Sequence, residues 1–269
     1  MRWRSYLANV FHMNRIFIGC LFCFGIFFTQ CQRSVDGISL NQSTYHALYR
    51  ESSPTRKEKS GLIDTASLFR NEAFIQRFIL QFRQDYLQGS SEESLYTSLI
   101  DFDQVRLFQE GESKEFGQKE YNRIKQVVDS ERHYIEGKID LIDVQLNFLD
   151  NYIFDELNMG CDNFVNASFM YLLGRRPTKN ELNEGLQMCY GQEGNIFFRS
   201  GNSRRDLLEI LSQNPTYFEY QAAILAVHLY GRLASEEYIS SHSLAMLKTN
   251  PKRLEDVIVY WLTNPPKAP

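Results

Sequence analysis

Two cysteines in the middle of the chain, Cys161 and Cys189, have a spacing that predicts a covalent bond between them. They lie at equal distances from residue 175, inside the sequence Gly174-Arg175-Arg176-Pro177, which separates two helical patterns. Residues equidistant from the turn of an antiparallel helical hairpin lie side by side. We therefore predict a Cys161–Cys189 disulfide that stabilises the fold by about 3–4 kcal/mol in the chain-entropy picture. The alternative is two ordinary buried thiols, because rotation about the helix axes can separate the Cα atoms beyond about 6.8 Å.

The other residues capable of chemistry form no recognisable catalytic or metal-binding motif. His46, His133, His228 and His242 have no metal-ligand spacing. The sequence contains no nucleophile elbow, phosphate-binding loop or dinucleotide fingerprint. We expect no enzyme activity, no catalytic residue, no cofactor and no metal. A formal charge of −4 without a basic excess predicts no nucleic-acid partner.

The carboxylates and arginine pairs are interpreted as solvated surface groups. A glycosidase would need two carboxylates about 5–10 Å apart in a cleft, and that alternative stays open in a helical fold. The acidic residues concerned are Asp140, Asp143, Asp150, Asp155, Glu156, Glu236, Glu237, Glu255 and Asp256. The pairs Arg175-Arg176 and Arg204-Arg205 are interpreted as solvating a turn and a helix start, with binding of an anionic partner as the alternative.

Residues 1–30 are typical of a secretory signal. They contain Arg2, Arg4 and Arg15 and no acidic residue, and an uncharged apolar run follows at residues 16–28. A basic segment before an apolar run of 7–15 residues predicts a cleaved signal peptide. An uncleaved signal anchor is the alternative, although a bilayer span needs about 20 residues.

The residue that follows the signal, Cys31, predicts a lipid anchor. The sequence Phe27-Phe28-Thr29-Gln30-Cys31 resembles the relaxed lipobox of spirochaete-like bacterial lipoproteins, with Gln30 in place of a small residue and Phe28 in place of Leu. The resemblance implies acylation of Cys31, palmitate included, and several acyl chains give stable membrane anchoring. Residues 31–60 have scattered apolar positions and predict a flexible tether. Without the three arginines of the signal, the remaining chain carries −7 and is not drawn to anionic lipid headgroups.

The chain from residue 61 onward has helical periodicity throughout, so the predicted fold class is all-α. Residues 61–160 form a helical N-terminal region, with helices at about 64–88 and 92–109 and a long central helix at 113–158. In the second helix we expect Leu95, Leu99, Phe102, Leu107 and Phe108 to face inward. Gly137 is a possible break in the long helix. Residues 161–269 complete a helical bundle.

Residues 161–269 contain two similar units, at about 161–218 and 219–265. The sequence Tyr171-Leu172-Leu173-Gly174-Arg175-Arg176-Pro177 is matched by His228-Leu229-Tyr230-Gly231-Arg232-Leu233-Ala234. Each unit is predicted as helix, turn, helix, loop and helix, with caps at Gly174, Thr178, Ser203 and Asn250 and a loop at 190–203. This pattern resembles the phycobilisome-linker-like helical domain of unknown function in bacterial surface proteins. The resemblance implies assembly or surface binding and no catalytic residues.

Together these features predict an exported lipoprotein, held to a membrane of the cell envelope through Cys31. Its helical body is expected to bind an unidentified protein or other envelope partner, or to serve a structural role. Two alternatives remain open. One is a glycan-cleaving envelope enzyme with a helical fold, and the other is a signal-anchored periplasmic structural subunit.

Overall fold

Helices make up about three quarters of the described residues and the only strands there form one short hairpin, which confirms the all-α prediction. The computed structural model describes Phe69 and residues 71–230 and 236–264. The elements in this part are, in chain order, α1 (Glu72–Tyr86), α2 (Glu92–Phe108), α3 (Gly111–Ile135), α4 (Leu141–Leu149), α5 (Tyr152–Asn158), α6 (Cys161–Leu173), α7 (Lys179–Cys189), β1 (Gly194–Ile196), β2 (Arg199–Gly201), α8 (Arg204–Ser212), α9 (Pro215–Tyr230), α10 (Glu236–Leu247) and α11 (Leu254–Thr263).

The segment predicted as one helix at 113–158 is divided into three. Helix α3 ends at Ile135 because Gly137 adopts a left-handed conformation, with φ of +71°. The amide of Lys138 then donates to the carbonyl of His133, and the amide of Gly137 donates to Tyr134. These are the two hydrogen bonds of a Schellman ending. The possible break at Gly137 is therefore real, and the single long helix is wrong.

Two polar caps restart the chain after α3. Asp140 and Asp143 form a capping box at the start of α4, each side chain accepting a hydrogen bond from the backbone of the other. Asn151 caps α5 by accepting a hydrogen bond from the amide of Phe154 at 3.1 Å. Each cap satisfies amides that a helix start leaves without partners. The short helices α4 and α5 therefore each begin at a residue whose side chain satisfies an amide of the first turn.

The core is built from aromatic and branched side chains of many helices. Its largest fully buried members include Phe148, Phe154, Phe164, Phe169, Tyr217 and Trp261. A buried hydrogen-bond chain crosses it. Gln145 donates to the hydroxyl of Tyr86 at 2.6 Å and accepts from the hydroxyl of Tyr217 at 2.7 Å. Because buried polar groups are costly unless paired, this chain fixes how α1, α4 and α9 meet.

Helix α2 packs chiefly against α3, and only part of its apolar surface is covered. Leu95 and Phe102 are buried, as predicted. Leu107 and Phe108 are 57% and 78% exposed, so the prediction that they face inward is wrong. The periodicity is correct, but a helix near the edge of a bundle buries only the side that meets its neighbour.

The first C-terminal unit has the predicted helix caps. Gly174 ends α6 with φ of +67°. Thr178 and Glu181 form the capping box that starts α7, and Ser203 caps α8 by accepting from the amide of Asp206 at 3.1 Å. These contacts hold the α6–α7 hairpin in a defined geometry.

The loop predicted at 190–203 contains a short antiparallel hairpin instead. Strands β1 and β2 pair Gly194 with Gly201 and Ile196 with Arg199. Its two-residue turn is Phe197-Phe198, with φ of +54° and +61°. Such turns favour Asn and Gly, so the sequence signal for a hairpin is missing. Phe198 is fully exposed.

The second C-terminal unit departs from the predicted pattern at Asn250. That residue has φ of +54° and follows the end of α10, whereas the residue before α11 is Arg253. The prediction that Asn250 caps the last helix is wrong, because Asn tolerates the left-handed conformation and ends the preceding turn instead. Residues 231–235, which hold the second predicted turn, lie outside the described residues.

Replacing Gly174 with Ala is expected to destabilise the fold more than replacing Gly191 with Ala. Both glycines have positive φ, so each substitution carries backbone strain of about 1–2 kcal/mol. A Cβ at Gly174 would also overlap the ring of Tyr220, whereas one at Gly191 meets no atom within 4 Å. We expect Gly174→Ala to cost about 1–3 kcal/mol more, measured by urea unfolding. Equal losses for the two variants would contradict the close packing of α6 against Tyr220.

Candidate functional site

The predicted disulfide is present and joins the open end of the α6–α7 hairpin. Cys161 is the first residue of α6 and Cys189 the last of α7, and their Cα atoms are 5.7 Å apart. Cys161 is buried, whereas Cys189 is partly exposed and lines a surface groove. Cys31, the predicted lipidation site, lies outside the described residues.

Arg204, at the start of α8, contacts both sulfur atoms of this disulfide. Its Nε donates to Sγ of Cys189 at 3.2 Å, and a terminal nitrogen donates to Sγ of Cys161 at 3.9 Å. The same guanidinium forms an ion pair with Asp155 and lies 4.9 Å above the ring of Phe164. One side chain therefore connects the disulfide with an acidic group on α5.

Arg123, on α3, is the buried centre of this charged region. It pairs with Glu120 at 2.7 Å and with Asp150 and Asp155 at 2.9 Å each. Burial alone would lower the pKa of Arg123, but the carboxylates of Asp150 and Asp155 outweigh it and raise that pKa. Burial raises the pKa of Glu120, against the opposing charge of Arg123. Arg123 therefore stays charged and holds the three carboxylates together.

The interpretation of the carboxylates as solvated groups is wrong for several of them. Asp150 is 8% exposed and Glu255 is 4% exposed. Glu255 accepts a hydrogen bond from the amide of Leu141 at 3.1 Å, which attaches α11 to the start of α4. Burial raises the pKa of Glu255. A buried carboxylate needs such partners because desolvation is otherwise too costly.

The arginine pairs also hold carboxylates within the fold. Arg175 binds both oxygens of Glu181, and its hydrogen bonds lower the pKa of Glu181 from 4.5 to about 2. Arg205 donates to Glu209 at 2.8 Å and to Asn147 at 3.0 Å. Their predicted positions at a turn and a helix start are correct, but Arg175, Arg204 and Arg205 also bind specific partners.

A groove of about 820 Å³ opens beside the disulfide. Its charged lining consists of four cations, Lys119, Arg123, Arg204 and Arg205, and two carboxylates, Asp150 and Glu209. Amide and hydroxyl groups complete the lining, from Asn122, Gln126, Asn202 and Ser203. Arg123, Arg204 and Arg205 are already paired with carboxylates. Lys119 forms no ion pair within the described residues, so the lining suits a polar ligand with an acidic group. It is the surface at which the disulfide, the arginine network and solvent meet.

The described histidines form no candidate metal site. His242 stacks on Tyr238 with ring centroids 3.9 Å apart, and its Nδ1 lies 3.0 Å from the carbonyl of the same residue. His46 lies outside the described residues. In the part of the chain that the structure describes, no group of three or more His, Cys, Asp or Glu residues is arranged to hold a metal ion.

Two central features of the site, the burial of Arg123 and the contact of Arg204 with the sulfurs, are missed by the sequence analysis. A local signal exists for Arg123, because Glu120 precedes it by three residues on one helix face. Nothing in the sequence spacing links it to Asp150 or Asp155, which approach only after α3 ends and the chain turns twice. Arg204 is 43 positions from Cys161, so its contact also depends on tertiary folding.

The chain matches no protein-family model, no curated protein and no solved structure. The resemblances to lipoproteins and to the phycobilisome-linker-like domain therefore stay predictions. Within the described residues, no helix combines the length and apolar character needed to cross a bilayer.

Replacing Arg123 with Met is expected to lower the free energy of unfolding by about 3–5 kcal/mol, because three carboxylates lose their buried counter-charge. The matched control is Arg132→Met on the same helix. Arg132 pairs with Asp129, but its side chain is 56% exposed, so its loss should cost much less, because water screens exposed ion pairs. Urea unfolding at pH 7 compares the two variants. Similar small losses would show that the Arg123 network contributes little to stability.

Proposed function

We propose that the protein is an exported lipoprotein, anchored by acylated Cys31, whose helical body binds a partner at the cell envelope. The observation that carries the proposal is the basic and apolar pattern of residues 1–30, which is typical of an export signal. The Cys161–Cys189 disulfide agrees with it, because disulfides persist mainly in the oxidising compartments that exported proteins reach.

The proposed anchor and tether explain the composition of the chain before the helical body. Acyl chains on Cys31 would hold the protein at a membrane, and residues 32–60 would let the helical body extend away from that membrane. The remaining charge of −7 favours a body that does not bind anionic headgroups through its own charge. Attachment therefore depends on Cys31 alone in this proposal.

The groove beside the disulfide is the part of the body best suited to binding. It is held by contacts that converge from α3, α5, α7 and α8 on Arg123 and Arg204. Pre-organised polar groups bind with less loss of conformational freedom than mobile ones. A polar envelope component is thus a more natural ligand than a large apolar molecule.

Cys31→Ala is expected to abolish palmitate labelling and release the protein from membranes, or leave it as an unprocessed precursor. Cys23→Ala is the matched control, because Cys23 lies inside the predicted signal and should leave labelling unchanged. Both variants are compared with the unmodified chain by radiolabelled palmitate and by membrane fractionation after a high-salt wash. Retained label and unchanged membrane association in Cys31→Ala would rule out this anchor.

A further inference from the structure

We propose that the Cys161–Cys189 disulfide is redox-active, and that a small thiol entering the groove attacks Sγ of Cys189. This inference goes beyond anchoring and does not depend on lipidation of Cys31. It follows from three features of the disulfide: the donors that touch its sulfurs, the helix end that carries one of them, and the unequal exposure of the two cysteines.

The first feature is the guanidinium of Arg204. In the oxidised protein it already donates to Sγ of Cys189 at 3.2 Å and to Sγ of Cys161 at 3.9 Å. A hydrogen bond to a charged acceptor is roughly twice as strong as one to a neutral acceptor. Reduction creates thiolate character at these sulfurs, so the same donors stabilise the reduced form more than the disulfide. This difference favours reduction, although the ion pair of Arg204 with Asp155 moderates it.

The second feature is the position of Cys161 at the beginning of α6, a helix of 13 residues. Amides at a helix start lack intrahelical acceptors, and their partial positive charge lowers the pKa of a cysteine there. The residue before it, Gly160, supplies no side-chain cap. Asp162 follows and opposes the effect with its negative charge. The helix start therefore assists the departure of Cys161 as a thiolate when Cys189 is attacked.

The third feature is access. Cys189 lines the groove, whereas Cys161 is 7% exposed and does not. An incoming thiol therefore meets Sγ of Cys189 first. The groove volume of about 820 Å³ fits a small molecule or short peptide, and its lining includes Lys119, a cation that forms no ion pair in the described part of the chain. The thiol class that fits is a low-molecular-weight thiol bearing carboxylates.

The reaction is balanced by two such thiols. The thiolate of the first attacks Sγ of Cys189, forms a mixed disulfide and displaces Cys161 as a thiolate, which takes up a proton from solvent or remains charged. The thiolate of the second attacks the sulfur of the small molecule and displaces Cys189. The protein gains two electrons, and the two small thiols leave as their disulfide.

The test is the equilibrium between disulfide and dithiol in glutathione buffers of varied ratio. The purified chain is acid-quenched and alkylated, and the peptides of Cys161 and Cys189 are quantified by mass spectrometry. We expect partial reduction of the unmodified chain within the range of the buffers. Arg204→Gln should lower the equilibrium constant for reduction about tenfold, which corresponds to about 30 mV.

Arg132→Gln is the matched control for this measurement, because it removes the same charge. Arg132 lies on α3 and pairs with Asp129, and it neither lines the groove nor donates to either sulfur. We expect its equilibrium constant to equal that of the unmodified chain. Both variants keep the two cysteines, and near-UV circular dichroism checks that they fold. A disulfide that stays oxidised in every buffer, or equal values for Arg204→Gln and Arg132→Gln, would overturn the proposal.

A second measurement identifies the attacked sulfur and the preferred thiol. The unmodified chain is mixed briefly with glutathione or with uncharged 2-mercaptoethanol, quenched, and digested. The proposal predicts a transient adduct on the Cys189 peptide and faster reaction with glutathione at equal thiolate concentration. An adduct mainly on Cys161 would contradict attack from the groove. Equal rates for the two thiols would contradict selection by the groove cations.

Discussion

The packing of the described helices around the groove depends on one buried guanidinium. Arg123 lies on α3 and binds Glu120 on its own helix, Asp150 at the end of α4 and Asp155 on α5. Taking these charges out of water is costly, and the cost is offset only while all partners keep their positions. The turns after α3 and α4 must therefore deliver both aspartates to the same point. The capping box of Asp140 and the cap of Asn151 make those turns possible.

Asp155 extends this interaction to the C-terminal half of the described chain. It binds Arg123 on one side and Arg204 on the other, and Arg204 contacts the sulfurs that join α6 to α7. Ion pairs and hydrogen bonds therefore connect the buried Arg123 to the disulfide at the edge of the groove. Because Arg204 donates to both sulfurs, a change in their charge acts first on Arg204. The disulfide therefore has a positively charged neighbour, which apolar packing alone would not provide.

Much of the fold follows from local patterns in the sequence. The apolar spacing indicates helices, and Gly174, Thr178 and Ser203 mark helix ends that the structure contains. The disulfide is predictable because Cys161 and Cys189 are symmetric about one turn. Features that depend on distant partners are not predictable in this way. In the sequence, Asp150 and Glu255 look like surface carboxylates, because the groups that bury and bind them are distant along the chain. Leu107 and Phe108 have the spacing of core residues, but they lie on a helix whose apolar side is only partly covered by neighbours. The Phe197-Phe198 turn lacks the residues that ordinarily signal a hairpin.

The oxidation state of Cys161 and Cys189 inside cells tests most directly whether this helical body works in an oxidising compartment. Cells that make the protein are acid-quenched, their free thiols are alkylated, and the two peptides are analysed by mass spectrometry without reduction. An exported protein should yield mainly a peptide pair linked by the Cys161–Cys189 disulfide. Recovery of both cysteines only as alkylated thiols, from protein that refolds and oxidises normally after purification, would contradict export to such a compartment.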